Sequence, residues 1–111
     1  MKKNLSMIRG DTLAFTFEIE GLEEDLNSCY FSCKKKISDP EYTFQKSLEN
    51  GITKVEQGKY KVRIAPADTH NIEIGEYLYD LQIGIGSDIY TVMTGPLTIE
   101  KEITGETYEE L

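Results

Sequence analysis

The 111-residue sequence contains no tryptophan, one histidine, two cysteines and three prolines. Each shortage removes a class of chemistry. With His70 as the single imidazole, a histidine-based mechanism has one residue to use. It stands in "PADTHN", two positions after Asp68, and that spacing on a turn is not the geometry of a triad. Cys29 and Cys33 are four apart. On one strand their Cα atoms would lie ~13 Å apart, whereas a disulfide needs less than ~7 Å. They read as two small buried apolar residues. A zinc site would need further ligands, and His70 is far along the chain. No metal and no cofactor is expected. No apolar run approaches ~18 residues, so no membrane span is expected. The start "MKKNLSMIRG" carries two lysines with no apolar stretch after them, so no secretory signal is expected.

Positive charge is also scarce. Twelve Lys and Arg stand against 20 Asp and Glu, a net charge of −8. Such a surface repels phosphate backbones and anionic bilayers, so neither nucleic acid nor membrane is an expected partner. The basic candidates are Arg9, Arg63 and Lys34-Lys35-Lys36, and lysines on a strand edge serve to block unwanted pairing. The carboxylates fall mostly in loops or on solvated faces. Asp80 differs, lying mid-strand in "YLYDLQI", on the face opposite Tyr77 and Leu81. "GIGSDIY" follows a strand and opens no helix, so it is no phosphate loop. No constellation supports an enzyme.

What the sequence does have is a period of two. Leu13, Phe15, Phe17 and Ile19 alternate with polar or small residues, as on a strand with one buried face. "CYFSCKKKI" follows, with Cys29, Phe31, Cys33 and Ile37 as inward candidates. "YTFQKSL" alternates through Tyr42, Phe44 and Leu48. "ITKV" is a short strand, and "KYKVRI" sets Tyr60, Val62 and Ile64 on one face. "EYLYDLQIGI" is the longest strand, with Tyr77, Tyr79, Leu81, Ile83 and Ile85 together. "GSD" turns the chain into "IYTVMT", and "GPLTIEKEI" is read as a separate last strand. No helix of three turns is expected. About eight short strands with turn signals every 8–12 residues indicate a β-sandwich or barrel.

One segment narrows the fold. In "RIAPADTHNIEIGEYLYDLQI" a strand ends, one polar helical turn near 66–71 crosses between sheets, and Gly75 precedes Tyr77 by two. Immunoglobulin-like sandwiches place a tyrosine there and return its hydroxyl to an upstream backbone group. Asp68, Thr69, Gly75 and Tyr77 are the candidate corner residues. The position two after Tyr77 is Tyr79 rather than cysteine, which excludes an antibody-type domain. The expected architecture is an all-β, immunoglobulin-like sandwich over residues 1–104, followed by an acidic tail over 105–111. Arg9-Gly10-Asp11, a cell-adhesion tripeptide elsewhere, sits between the strand candidates "NLSMI" and "TLAFTFEIE" and reads as a turn.

Four pieces occur in order: "RGDT" before "FTF", "PADT", "GEYLYD", and a G-x-L-x-I ending before E-x-T. Together they resemble small tail-module proteins of phages and prophages of Gram-positive bacteria, similar to the N-terminal immunoglobulin-like domain of baseplate upper proteins. The resemblance spans roughly residues 7–104. It implies a non-enzymatic virion structural or assembly protein, made in the bacterial cytoplasm, that docks on other phage structural proteins and forms a homo-oligomer. The candidate interface residues are Leu5, Met7, Tyr79, Asp80, Tyr90 and Tyr108. Tyrosine suits such a surface because it buries area and keeps a hydrogen-bonding tip. The competing reading is a soluble binding module, either for carbohydrate or a host surface, or an acidic inhibitor of a host defence protein.

Overall fold

The computed structural model describes residues 1–104. Its elements are β1 (Leu5–Ile8), β2 (Leu13–Glu18), β3 (Ser28–Lys34), β4 (Phe44–Ser47), β5 (Ile52–Glu56), β6 (Lys59–Ile64), α1 (Pro66–Thr69), β7 (Gly75–Ile85) and β8 (Asp88–Glu100). They form a five-stranded sheet in the order β1-β8-β7-β3-β4 and a three-stranded sheet in the order β2-β6-β5. β1 runs parallel to β8, and the other neighbours are antiparallel. The fold is an all-β, immunoglobulin-like sandwich.

Alternation builds the core. β3 turns Cys29, Phe31 and Cys33 inward, β7 turns Tyr77, Tyr79, Leu81 and Ile83, and β6 turns Tyr60, Val62 and Ile64. Phe31 is the centre. Its ring lies 5.1 Å from that of Tyr79, 5.9 Å from Phe15 and 6.2 Å from Phe44. Offset and edge-on contacts of this kind add to the burial of the rings themselves. Burial pushes the thiols of Cys29 and Cys33 up to about 12, so both stay protonated and inert at neutral pH.

Three strand expectations need correction. First, "IYTVMT" and "GPLTIE" are one strand, β8, with a bulge opposite Leu81 and Gln82. Gly95 does not break it. A Cβ there would collide with the carbonyl oxygen of Lys3, so glycine lets the N-terminal segment lie against β8. Lys3 N–H donates to Thr94 O at 2.9 Å, and Tyr79 Oη donates to Lys3 O at 2.7 Å. Second, Ile37 is 81% exposed rather than inward. β3 ends at Lys34, and Asp39 then holds the chain in a turn by accepting from Lys36 N–H at 3.1 Å. Third, "YTFQKSL" contributes only four residues to β4. Its inward pair is Phe44 and Lys46, while Tyr42 is exposed and Leu48 half-buried.

Lys46 is the unexpected core residue, 4% exposed. Its ammonium lies 2.9 Å from Asp68 Oδ2 and 3.3 Å from Asn50 Oδ1. Asp68 is the third residue of α1, and the same oxygen accepts from Ala65 N–H at 2.7 Å. Pro66 opens the turn, where a missing N–H costs nothing. Thr69 is fully buried, and its Oγ1 accepts from Gly10 N–H at 2.8 Å. Tyr77 Oη donates to Glu73 O at 2.6 Å, and Gly75 opens β7 between them with φ of 137°.

The same corner explains Arg9-Gly10-Asp11. Arg9 donates to Glu102 through Nη2 at 2.8 Å and Nε at 3.2 Å, and through Nη1 to Ile72 O at 3.1 Å. Gly10 takes φ of 84°, a left-handed value that a side chain disfavours. Asp11 N–H closes the turn on Ile8 O at 3.1 Å. The tripeptide carries the chain from one sheet to the other, with its arginine held by an intramolecular carboxylate.

Three substitutions check this corner. Tyr77→Phe keeps the ring and loses the bond to Glu73, so urea unfolding should show a loss of about 1 kcal/mol. Asp68→Ala leaves a buried ammonium without its carboxylate and should cost about 3 kcal/mol, whereas Lys46→Met removes the charge itself and should cost much less. Equal losses for these two variants would refute a buried pair.

Candidate interaction site on the outer sheet face

The strand phase that buries Phe31 and Tyr79 turns the intervening residues outward. On the outer face of the five-stranded sheet stand Tyr30, Ser32 and Lys34 of β3, Gln45 of β4, Leu78, Asp80 and Gln82 of β7, and Thr94 of β8. The β3–β4 loop adds Ile37 and Tyr42 as a wall. Together they shape an open hollow of about 680 Å³.

Asp80 is among its lining residues. The register places Asp80 beside Ser32 on β3 and Thr94 on β8, with Lys34 next to Leu78. Burial raises the Asp80 pKa, and the Lys34 charge opposes that rise. The surroundings are already ordered. Gln45 Nε2 donates to Ser32 Oγ at 2.9 Å, and Thr94 Oγ1 donates to Tyr79 O at 3.0 Å. Lys34 Nζ donates to Asp39 O at 2.8 Å and stands 5.3 Å from the centre of the Tyr42 ring. The result is a carboxylate with unspent acceptor capacity, ringed by tyrosine, leucine and isoleucine. This arrangement can receive a cationic or hydrogen-bond-donating group and bury apolar surface around it. Among the described residues that line the hollow Asp80 is the one carboxylate, and no group of three or more His, Cys, Asp or Glu among the described residues could hold a metal ion.

The six interface candidates scatter. Asp80 lies in the hollow. Tyr90 is exposed on β8 near the hairpin, outside the hollow. Leu5 is half-buried on β1. Met7 and Tyr79 are buried in the core, because β1 and β7 turn these positions inward and Tyr79 spends its hydroxyl on Lys3. Tyr108 lies outside the described residues. Asp68, Thr69, Gly75 and Tyr77 are together at the corner, away from the hollow. Sequence reasoning missed Lys34, Ser32, Gln45 and Leu78 as a group. The available signal was the same alternation: positions 30, 32 and 34 and positions 78, 80 and 82 share one face once β3 and β7 are neighbours.

No family model matches the chain, and no curated protein matches it. Solved structures do. One is a candidate glycoside hydrolase from Bacteroides vulgatus, 14% identical with a TM-score of 0.54, in which the match covers 90% of this chain and 17% of that protein. Another is the immunoglobulin-like domain of mouse leukocyte-associated immunoglobulin-like receptor 1, a strand-swapped dimer. It is 13% identical with a TM-score of 0.53, over 86% of each chain. The extracellular domain of the same receptor matches at 15% identity and a TM-score of 0.52. At these identities the likeness is one of fold.

The raised Asp80 pKa has a definite sign in stability. The folded state holds the proton more tightly than the unfolded chain, so stability falls as pH rises through the interval between the two pKa values. Asp80→Asn removes that loss. It should raise the melting temperature at neutral pH and leave it unchanged in acid below the unfolded pKa. A thermal-melt series across pH checks both ends, and a variant less stable than wild type at neutral pH would contradict the burial account.

Proposed function

We propose that this chain is a non-enzymatic docking domain, and that it serves as a structural or assembly subunit of a phage virion, in the baseplate, tail tip, neck or head fibre. The observation that carries the docking reading is the hollow on the outer sheet face. A half-buried carboxylate ringed by exposed Tyr30, Tyr42, Ile37 and Leu78 has the make-up of an interface centre rather than of a solvated sheet. Support for the virion comes from the ordered motif series around Arg9, Asp68, Tyr77 and Gly95. Partners are then other phage structural proteins, together with further copies of this chain. The immunoglobulin-like fold is compatible with this role and with many others. A carbohydrate ligand is the second reading, because tyrosine faces beside Asp80, Gln45 and Gln82 also suit a sugar ring and its hydroxyls.

Mass spectrometry of gradient-purified particles from the induced source strain tests the virion role. The chain should be present at fixed stoichiometry. A Tyr42→Ala/Asp80→Lys double variant, folded by circular dichroism, should be depleted from the particles. A chain abundant in lysate and absent from particles would overturn the virion role, and a glycan array would then decide the carbohydrate reading. Full incorporation of the double variant would overturn the hollow as the docking site.

A further inference from the structure

β2 is an edge strand of the three-stranded sheet. Its register with β6 runs unbroken from Leu13↔Ile64 to Glu18↔Lys59, and Ile19 N–H donates to Gly58 O at 2.8 Å just beyond. The N–H and C=O of one residue point to the same side of a strand, and successive residues alternate. Leu13, Phe15 and Phe17 therefore direct their backbone groups to β6. Ala14, Thr16 and Glu18 direct theirs outward, where no strand follows among the described residues.

Exposed edges are normally blunted by shortness, lysine, proline or a bulge. The other edges here follow that rule. β1 and β4 have four residues each, and β5 carries Lys54 and a register break between Lys54 and Glu56. β2 has none of these from Leu13 to Phe17. Its apolar residues are also incompletely covered. Leu13, Phe15 and Phe17 are half-buried, whereas Ile64, Val62 and Tyr60 opposite them on β6 are buried.

We propose that two copies of this chain associate through β2, paired antiparallel about a two-fold axis at Thr16. The sequence is self-complementary in that register. Thr16 faces Thr16 of the second copy, and Ala14 faces Glu18, so each of the three outward residues exchanges both backbone hydrogen bonds. Phe15 faces Phe17, and Leu13 faces Ile19. Cross-strand threonine and aromatic pairs of this kind are favourable, and no like charges oppose each other. The two three-stranded sheets become one of six strands, and the two-fold axis closes the assembly at a dimer. The hollow lies on the other sheet and stays open, so this inference and the docking reading stand or fall separately.

Each copy brings a net charge of −8. Salt screens that repulsion, so association strengthens with ionic strength. Sedimentation of the full chain over a range of concentrations and salt should show a monomer–dimer equilibrium that shifts toward dimer in salt. Thr16→Lys alters an exposed side chain and lowers the net charge, so a merely electrostatic association would strengthen. Edge pairing predicts instead that this variant is monomeric. Oxidation gives a positional check, because the two native thiols are buried and inert. Thr16→Cys should crosslink to itself. Ala14→Cys alone should not, since its copies lie ~14 Å apart along the strand, but a mixture of Ala14→Cys and Glu18→Cys chains should. A monomer under all conditions would overturn the proposal. So would a dimer that Thr16→Lys leaves intact, or one in which Thr16→Cys fails to crosslink.

Discussion

Thr69 accepts a hydrogen bond from Gly10, and much of the sandwich is tied to the short segment that holds it. A chain that crosses between sheets leaves the ladders, and its backbone groups must then find partners or lose stability. Here the crossover from β6 to β7 supplies acceptors to its surroundings. Asp68 takes the ammonium of Lys46 from β4, Ile72 O takes the guanidinium of Arg9, and Glu73 O takes the hydroxyl of Tyr77. Eight residues, 66–73, thus fasten the other crossover, one sheet edge and the start of β7. Within "PADTHNIE" Thr69 is buried, Asp68 and Ile72 are half-buried and the other residues are exposed, so the segment lies at the surface and fastens its neighbours from outside.

That anchorage sets the phase of β7. With Tyr77 turned toward Glu73 and Tyr79 toward Lys3, Leu78, Asp80 and Gln82 must face out. The outer face therefore inherits its chemistry from a choice made in the core. Its carboxylate is raised in pKa by burial, and the nearest lysine is already committed to Asp39 and to the Tyr42 ring. In a protein of strongly negative charge, long-range attraction favours cationic partners in general, so selection among them at this place rests on local complementarity. The β3–β4 loop completes the hollow, as loops on rigid scaffolds commonly do.

Arg9-Gly10-Asp11 shows how far a motif depends on its setting. The same three residues that elsewhere present a ligand here form a connection between sheets, with the arginine bonded to Glu102 and Ile72. A shared fold has the same limit. Receptor domains and a segment of a much larger protein share this sandwich at low identity, and the surfaces that distinguish them are set by individual side chains.

Alternation of apolar residues determined most of the strands, the inward faces of β3, β6 and β7, and the sandwich class. The turn at Pro66 and its spacing to Tyr77 pointed to the crossover. These are local properties, written in residues two to a dozen positions apart. The rest depends on pairs that are distant in sequence. Gly95 reads as a break until Lys3 lies against it. Lys46 reads as a solvated lysine until Asp68 is brought to it. Tyr79 reads as an interface tyrosine until the N-terminal segment offers a carbonyl. Asp80 was legible as an oddity in its strand, but the hollow around it exists only because β3, β4, β7 and β8 lie side by side. Strand order is a tertiary fact, since the period of two states which residues share a face and is silent about which faces are neighbours.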